Sequence, residues 1–563
     1  MDRVAPSAYP PPVKPIEEFI AEPTDPPGER IEVGVAIVGG GPAGLACANR
    51  LMQLFADDRE VAARLGDVPV AVVEKGKTCG AHNLSGAIMR PSAMEQLFPD
   101  VPRDQWPAYG DVPGEAVYVV VDSTRAVRIP TPPPFRNHGN VVVSVSELSR
   151  WLAKRAEDAG VYLLTETSAA KLLVQDGVVC GVRSGDKGRG REGEPKANFE
   201  PGSDLVAKAT VLAEGAWGHL TGAAIQRFDL GGSDPQVWAL GVKEVWEVPR
   251  PLKKVIHTLG WPLRTAARYQ EFGGSWIYPT GDDQVSIGFV CGLDYTDSTM
   301  SVHDILQLFK THPLVRGILE GGKRISWGAK AIPEGGWWAL PRLAAPGMVI
   351  CGDAGGMVNV PELKGIHYAM QSGILAAEEI YRRLREDSHD LSAYDAAVRA
   401  SVIGRDLHRT RNMRQPFSKG FFLGGLVTNL MIATGGRFPN GHWSQHRDAD
   451  AAMFEGGRSL TYPRPDGSYT FDKLSSVYLS GNATRDDAPN HIRVQRKVPR
   501  VVAETWTWMC PAGVYEIQEG GEDGDLVDVV VNHTNCVQCG AITAKGGRLT
   551  VPEGGDGPAY TNT

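Results

Sequence analysis

A glycine-rich turn between an apolar run and a helical pattern most constrains the fold of this chain. Gly39, Gly41 and Gly44 have the spacing G-x-G-x-x-G, directly after the apolar residues 35–38. Apolar residues at helical spacing follow. Glycines in this context let the backbone turn tightly and approach a pyrophosphate, which the N–H groups of the helix N-terminus bind. The pattern predicts a βαβ unit with a dinucleotide site, and therefore an α/β domain.

A carboxylate and a second glycine-rich element make FAD the favoured dinucleotide. Glu74 ends the next apolar run, 70–73, where it can accept hydrogen bonds from a ribose diol. Asp353 lies in a later signature, CGDAGG, and is predicted to hydrogen-bond the ribityl chain of an extended cofactor. No second G-x-G-x-x-G in a strand–helix context is available for a nicotinamide dinucleotide. Two plainer interpretations stay open: a glycine turn without a ligand, and an ordinary helix-capping aspartate.

Length and charge limit the class of protein. A chain of 563 residues with 42% hydrophobic and 22% charged residues is expected to fold into two to four domains. Its 58 basic and 66 acidic side chains give a net charge of -8, and no long basic run is present. We therefore expect no nucleic-acid partner. The first 20 residues lack the apolar core of a signal peptide, which favours a cytoplasmic, bacterial location.

Changes of pattern along the chain predict four parts. A proline-rich extended arm leads to the first strand. Strands rich in Trp, Tyr and Val, including GGSWIYPT and QVSIGFVCGL, predict a mainly antiparallel sheet inserted into the nucleotide domain. A helix over about 364–385 then returns the chain to that domain. The predicted parts are the arm, 1–30; the FAD-binding domain, 31–105 with 141–230 and 335–400; the inserted domain, 106–140 with 231–334 and 401–439; and a cysteine-bearing domain, 440–563.

Three of the eight cysteines lie near the end of the sequence. Cys536 and Cys539 form a C-x-x-C pair, and Cys510 precedes them. In a reducing compartment this pattern predicts a metal site rather than a disulfide. The other cysteines, at 47, 79, 180, 291 and 351, are expected to be small core residues.

The chain resembles the electron transfer flavoprotein:ubiquinone oxidoreductase family in motifs that run in the family's order from about residue 33 to 560. These motifs include AIVGGGPAGLACA, GAHNLSGAIM, EFGGSWIY, NVPELKGIHYAMQSGILAAE, LSSVYLSG and CPAGVYE. The resemblance implies a membrane-surface enzyme that passes electrons from reduced electron transfer flavoprotein through an iron–sulfur centre and FAD to ubiquinone or another quinone.

The resemblance also implies site residues and a fold. The FAD site would add Pro42, Ala43, Lys75, Ser85 and Gly86 to the residues above, and Gly273 and Gly274 would lie at the quinone headgroup. Glycine lets backbone groups approach a planar carbonyl ring, although a β-bulge would also explain the pair. The implied fold is a discontinuous FAD-binding Rossmann-like domain of the glutathione reductase/hydroxylase type, with an α+β quinone-binding insert and a small ferredoxin-like cysteine-bearing domain.

The cysteine site departs from the family pattern at one position. The family pairs the first cysteine with C-x-x-C-x-x-C, but here Ile542 occupies the place of the fourth ligand. Isoleucine has no lone pair for iron, so a 4Fe-4S cluster would have an open corner, and a 3Fe-4S cluster is an alternative. A zinc site completed by His533 and a site that has lost its metal also stay open.

Two apolar segments match the family's membrane-dipping regions. They are residues 84–108 and the uncharged run of 17 residues from 420 to 436. A quinone with an isoprenoid tail stays in lipid, so monotopic contact with the cytoplasmic face of a bacterial inner membrane is expected. Runs of this length are also common as buried core helices.

Two other functions use the same nucleotide fold or the same tail. The first is a flavin-dependent isoprenoid-chain reductase or monooxygenase, proteins that usually lack a cysteine-bearing tail. The second is a non-catalytic flavoprotein scaffold with a zinc-bound tail.

Overall fold

The computed structural model describes residues 3–26, 28–456, 460–518 and 526–563. Its first large sheet is mixed and contains the predicted βαβ opening. The strands Ile31–Val38, Val70–Val73 and Tyr162–Leu164 pair in parallel, as do Asp204–Leu212 and Met348–Ile350. In spatial order the main path of this sheet is Ile20–Ala21, Ala169–Gln175, Val178–Ser184, Asp204–Leu212, Ile31–Val38, Val70–Val73 and Tyr162–Leu164. Off this path, Met348–Ile350 pairs with Asp204–Leu212, and Ala344–Ala345 pairs with Met348–Ile350.

The second large sheet has seven strands among the described residues and is mainly antiparallel, as predicted. Among its described strands, the pair Val255–Gly260 and Glu115–Val120 is the only one that runs in parallel. In spatial order its strands are Lys323–Pro333, Trp238–Glu247, Gln284–Gly292, Gly273–Pro279, Val255–Gly260, Glu115–Val120 and Ala126–Ile129. Because these strands fall between segments of the first sheet, the first sheet is assembled from separated stretches of the chain.

Four smaller sheets and a set of helices complete the described chain. The small sheets pair Lys187–Arg189 with Pro195–Glu200; Ile88–Met89 with Val141–Val143 and Ala108–Asp111; Ile492–Arg493 with Arg548–Leu549; and Lys497–Pro499 with Leu526–Val531 and Tyr515–Gln518. The α-helices are Pro15–Phe19, Pro42–Asp57, Arg59–Ala63, Ser92–Leu97, Val145–Asp158, His219–Arg227, Val302–Lys310, Pro313–Leu319, Gly336–Ala339, Ile366–Arg385, Ala393–Ala400, Val402–Arg409, Phe421–Ala433, Lys473–Leu479, Arg500–Met509 and Ala541–Ala544.

Small residues let the first long helix pack closely. Pro42 occupies the first helical position, where its missing N–H costs nothing. A Cβ atom on Gly373 of the helix Ile366–Arg385 would lie 2.2 Å from the carbonyl oxygen of Ala43. Glycine at this position therefore lets the two helices approach backbone to backbone, which places both of their N-terminal ends beside the same cavity.

Two expectations about exposed segments are wrong. The arm is not extended throughout: in residues 3–26 it forms the helix Pro15–Phe19 and the strand Ile20–Ala21, and Phe19 is buried in the core. Segment 84–108 does not offer an apolar face, because its apolar side chains pack inside, in a sheet with Val141–Val143 and in the helix Ser92–Leu97. In both segments, burying the apolar side chains against the rest of the protein is more favourable than exposing them to water.

The segment around residue 420 keeps apolar side chains at the surface. The helix Phe421–Ala433 carries no charge, and Phe422 is 78% exposed and Leu426 59% exposed. No helix within the described ranges has the length and apolar character needed to cross a membrane.

Candidate functional site

A cavity of about 330 Å³ lies where the glycine turn of the first sheet faces the second sheet. Nine of the ten residues predicted to bind FAD line it: Gly39, Gly41, Pro42, Ala43, Glu74, Lys75, Ser85, Gly86 and Asp353. These residues come from four separate stretches of the sequence. The tertiary structure thus brings the two glycine-rich elements to one cavity, on a scale suited to a cofactor rather than to a single ion.

The glycine turn has the geometry that a pyrophosphate requires. Gly39 has φ of +109°, a conformation that favours glycine. Gly44 does not line the cavity; a Cβ atom there would lie 2.2 Å from the carbonyl oxygen of Gly39. Gly44 therefore serves the close packing of helix on strand, while Gly39 and Gly41 leave the backbone accessible to a ligand.

Glu74 stands at the end of its strand with its carboxylate toward this turn. Its Oε2 accepts a hydrogen bond from the backbone N–H of Gly40 at 2.8 Å, and its Oε1 accepts one from Gly76 at 2.6 Å. Each carboxylate oxygen can accept a further hydrogen bond. The carboxylate is therefore held in position beside the cavity and can still accept from a diol.

Asp353 lines the cavity near a helix N-terminus, with its Oδ1 3.8 Å from the position that a Cβ atom on Gly365 would occupy. It belongs to the short 3₁₀ helix Gly352–Gly355, and the long helix that lines the cavity begins at Ile366. Burial raises the pKa of Asp353 to about 6, and the Lys330 ammonium opposes that rise. The site thus offers a hydrogen-bonding carboxyl group beside a helix N-terminus that favours negative charge.

Several lining residues were missed by sequence reasoning. Lys330, Lys364, Trp276 and Tyr278 line the cavity but have no local spacing signal, because three separate stretches of the chain bring them there. Trp276 and Tyr278 stand in the motif EFGGSWIY, and Lys364 stands in NVPELKGIHYAMQSGILAAE, so the family motifs could have identified these three. His82 also lines it and stands in the motif GAHNLSGAIM, which could have identified it. Burial lowers the pKa of Lys330 and of Lys364 to about 8. The cavity therefore has a positively charged wall whose charge is costly to bury.

The predicted quinone residues lie next to this cavity rather than in its lining. Gly273 and Gly274 begin the strand Gly273–Pro279 and pair with Cys291 and Val290. A Cβ atom on Gly273 would lie 2.0 Å from the carbonyl oxygen of Val290. Close strand packing already requires glycine at this position, and Val290 itself lines the cavity.

The three predicted metal ligands converge on a second, much smaller cavity. Cys510, Cys536, Cys539 and Ile542 all line a space of about 20 Å³. Backbone N–H groups point at two of the sulfur atoms: Val514 N lies 3.5 Å from Cys510 Sγ, and Gln538 N lies 3.4 Å from Cys536 Sγ. Such donors stabilise thiolates, so this donor set fits a centre held by three cysteines, with a hydrocarbon side chain at the fourth corner.

Burial favours the protonated form of these thiols. Burial, and then the neighbouring Cys510, raise the pKa of Cys539 to about 12, and burial raises the pKa of Cys536 further. A bound metal reverses this by holding the thiolate form. In the described ranges no three Cys, His, Asp or Glu side chains are grouped to hold a single metal ion, and His533 does not line the small cavity. Of the other cysteines, Cys47, Cys79, Cys291 and Cys351 are buried as expected, and Cys180 is half-buried.

The two cavities share a wall. Gly540 and Leu549 line both of them. The backbone N–H of Ala331, which lines the large cavity, donates a 2.8 Å hydrogen bond to the carbonyl oxygen of Cys539. Lys75 Nζ donates to Gln538 Oε1 at 2.7 Å. A single layer of residues therefore separates the predicted FAD site from the cysteine site.

Comparisons with known proteins agree on a family. The model described as ETF-QO, ubiquinone-binding matches residues 238–332, and the model described as electron transfer flavoprotein-ubiquinone oxidoreductase, 4Fe-4S, matches residues 467–561. The chain is 37% identical over 560 residues to the electron transfer flavoprotein-ubiquinone oxidoreductase of Pseudomonas aeruginosa, covering 95% of this chain and 99% of that protein. It is 35% identical over 556 residues to the mitochondrial enzyme of the same name from Caenorhabditis elegans, covering 93% of this chain and 91% of that protein.

A solved structure shares the fold at low sequence identity. It is a geranylgeranyl bacteriochlorophyll reductase-like protein from Thermoplasma acidophilum, with a TM-score of 0.53 and 16% identity. The match covers 72% of this chain and 92% of that chain. At this level of identity the similarity concerns the fold alone.

Proposed function

This chain belongs to the electron transfer flavoprotein-ubiquinone oxidoreductase family, and we propose that it takes electrons from reduced electron transfer flavoprotein and reduces a membrane quinone to quinol. The observation that carries this proposal is the shared wall between the two cavities. Ala331 lines the large cavity and is hydrogen-bonded to Cys539, so a cysteine-held centre and a ring in the large cavity would be separated by one hydrogen bond and a few covalent bonds.

We assign the large cavity to FAD, which when bound accepts electrons singly and gives them as a pair. Gly41 and Ala43 would hold the pyrophosphate through backbone N–H groups, and Glu74 would bind the adenosine ribose. Gly39 and Pro42 would shape the turn around it without donating, because the Gly39 N–H already donates to the Val73 carbonyl oxygen and proline has no N–H. Lys75, Ser85 and Gly86 would contact the cofactor along the wall. Asp353 would hydrogen-bond the ribityl chain. Gly44 supports this site through packing only.

We assign the small cavity to an iron–sulfur centre held by Cys510, Cys536 and Cys539. Ile542 fills the fourth corner and contributes no ligand. The centre therefore departs from a four-cysteine 4Fe-4S site in having either three irons or one iron without a cysteine. The chain's own contribution is to exclude water and to aim N–H groups at the sulfur atoms.

We place the quinone between the strand Gly273–Pro279 and the bilayer. The strand begins at the glycine pair, and Phe272 contacts Phe417 with ring centres 4.7 Å apart, beside the helix Phe421–Ala433. Exposed Phe422 and Leu426 on that helix would enter the headgroup boundary, because an apolar surface is stabilised there. This monotopic contact would hold the protein at the cytoplasmic face of a bacterial inner membrane.

The domain division follows from these assignments. We propose a discontinuous FAD-binding domain of the glutathione reductase/hydroxylase type, an inserted quinone-binding domain built on the second large sheet, and a ferredoxin-like domain for the iron–sulfur centre. The contacts within each sheet support this division.

The test is a coupled electron-transfer assay with the purified protein. Electron transfer flavoprotein, reduced by an acyl-CoA dehydrogenase and its substrate, should lead to reduction of a short-tailed ubiquinone only when the protein is present. Anaerobic NADPH should not bleach the bound flavin. Rapid bleaching by NADPH without quinol formation would instead favour a reductase or monooxygenase, and zinc without iron would favour a scaffold.

A further inference from the structure

A buried tyrosine–histidine pair stands at the wall of the large cavity. The hydroxyl of Tyr278 lies 2.7 Å from His257 Nε2, and Tyr278 lines the cavity. His257 is 2% exposed and does not line it. The ring of Phe135 stacks on His257 with ring centres 5.0 Å apart and an angle of 17° between planes. The pair is therefore held rigidly, with only the phenol facing the cavity.

Packing alone does not account for this pair. Tyr278 belongs to a small apolar cluster with Ile88, Val142, Val255 and Trp276. His257 Nδ1 is buried, and no described residue forms a hydrogen bond with it. A buried polar atom without a partner destabilises a fold, whereas an apolar pair of the same size would avoid that cost. The Nδ1 atom therefore has a lone pair or a proton that no described residue engages, while Nε2 is engaged by the phenol of Tyr278.

The position of Tyr278 relates it to the predicted quinone residues. Side chains alternate along a strand, so Gly274, Trp276 and Tyr278 share one face of Gly273–Pro279. Val290, which pairs with Gly274, lines the same cavity. A quinone ring that passes Gly274 toward the interior therefore next meets Trp276 and Tyr278.

We propose that Tyr278 is a catalytic residue that protonates the quinone as it is reduced, and that His257 is the positioning residue that holds and reloads the phenol. This inference rests on the proposed function. Quinone reduction consumes two electrons, supplied by reduced electron transfer flavoprotein, and two protons. The O–H bond of Tyr278 breaks as its proton forms an O–H bond on one quinone oxygen. The phenolate then takes the Nε2 proton of His257, and Nδ1 takes a proton from solvent. Before the next turnover the imidazole loses the Nδ1 proton to solvent and regains one at Nε2, which restores the starting tautomer. The second quinone oxygen takes its proton from solvent.

The protonation states suit this sequence. Burial raises the pKa of Tyr278 far above its ordinary value, so the phenol carries its proton before the reaction. Burial, and then the charge of Lys364, lower the pKa of His257 to about 3. A neutral imidazole with one protonated nitrogen can pass a proton across its ring, which a histidine with both nitrogens protonated at rest cannot do.

The test separates proton-coupled from proton-free electron transfer. The protein is reduced anaerobically with reduced electron transfer flavoprotein and mixed with either a short-tailed ubiquinone or ferricyanide, which takes one electron and no proton. Tyr278→Phe should slow oxidation by the quinone about 100-fold, the size expected for loss of a general acid, and leave oxidation by ferricyanide unchanged. Tyr118→Phe is the matched control, since Tyr118 lies in the same sheet but packs against its other face; it should change neither rate.

A second variant keeps the inference testable if Tyr278→Phe loses FAD. His257→Gln alters no lining residue, and we expect it to lower kcat for the quinone at least tenfold without raising KM, while ferricyanide oxidation stays normal. Unchanged quinone rates in both variants would overturn the role of this pair. If the unaltered protein transfers electrons to ferricyanide but never to quinone, the proposed function itself fails.

Discussion

Restoring a cysteine at position 542 should give the iron–sulfur centre its fourth thiolate. Ile542 is 4% exposed and packs in the core beside Gly547, where a Cβ atom would lie 2.5 Å from Ile542 Cγ1. Ile542→Cys replaces three side-chain carbon atoms by one sulfur atom, a net loss of two heavy atoms. At about 0.8 kcal/mol per buried CH₂, plus a cavity contribution, the metal-free protein should lose about 2 kcal/mol of unfolding free energy.

In the metal-loaded protein the new thiolate should more than offset this loss. We expect low-temperature EPR of the anaerobically prepared variant, before and after dithionite, to report four irons with complete thiolate ligation. We also expect an iron chelator to remove the cluster at least tenfold more slowly than from the unaltered protein, because each iron then has a protein ligand.

Ile542→Ser is the matched control, because serine has nearly the size of cysteine but provides no thiolate. It should share the loss of packing and lose its iron at least as fast as the unaltered protein. If the cysteine and serine variants have the same EPR spectrum and the same rate of iron loss, position 542 is not the fourth corner and the reasoning is wrong.

Three further predictions concern the FAD site and the surface. Gly44→Ala should destabilise the protein by roughly 1–3 kcal/mol and weaken FAD retention, because its Cβ would contact the Gly39 backbone. Gly222→Ala is the control and should have neither effect, because nothing lies within 4 Å of a Cβ atom there. Denaturant unfolding and flavin content measure both effects. Burial raises the pKa of Asp353 in the folded protein to about 6. The free energy of unfolding of the metal- and FAD-free protein should therefore fall as the pH rises from about 4 to 6, and Asp353→Asn should remove this pH dependence in denaturant unfolding. Leu426→Asp should reduce sedimentation with anionic lipid vesicles, whereas Val127→Asp at another exposed apolar position should not; equal binding of both variants would contradict the membrane assignment.

Local signals in the sequence predicted the framework of the fold well. The strand Val70–Val73 and the helix Ile366–Arg385 lie where an apolar run and a helical apolar pattern placed them, within two residues. The glycine turn and its flanking elements are also confirmed. These features depend on residues close in sequence, whose spacing alone selects a backbone conformation.

Other expectations failed because they depended on distant partners. The apolar content of segment 84–108 is compatible both with contact to lipid and with packing in the protein core. Its pairing with Val141–Val143 and its contacts in the core show that the segment is buried. In the same way, the spacing of Gly44 predicted a cofactor contact, but its neighbour across the turn made it a packing residue.

By itself the sequence determined the glycine turn, the alternation of elements, the family resemblance and the substitution of Ile542 among the cysteines. The tertiary structure alone brought Lys330 and Tyr278 to one cavity, placed His257 behind Tyr278 and joined Cys539 to the cavity wall. The physical reason is that a local pattern acts through neighbouring dihedral angles. A cavity wall, by contrast, exists only when segments hundreds of residues apart bury their apolar faces together and carry their polar groups with them.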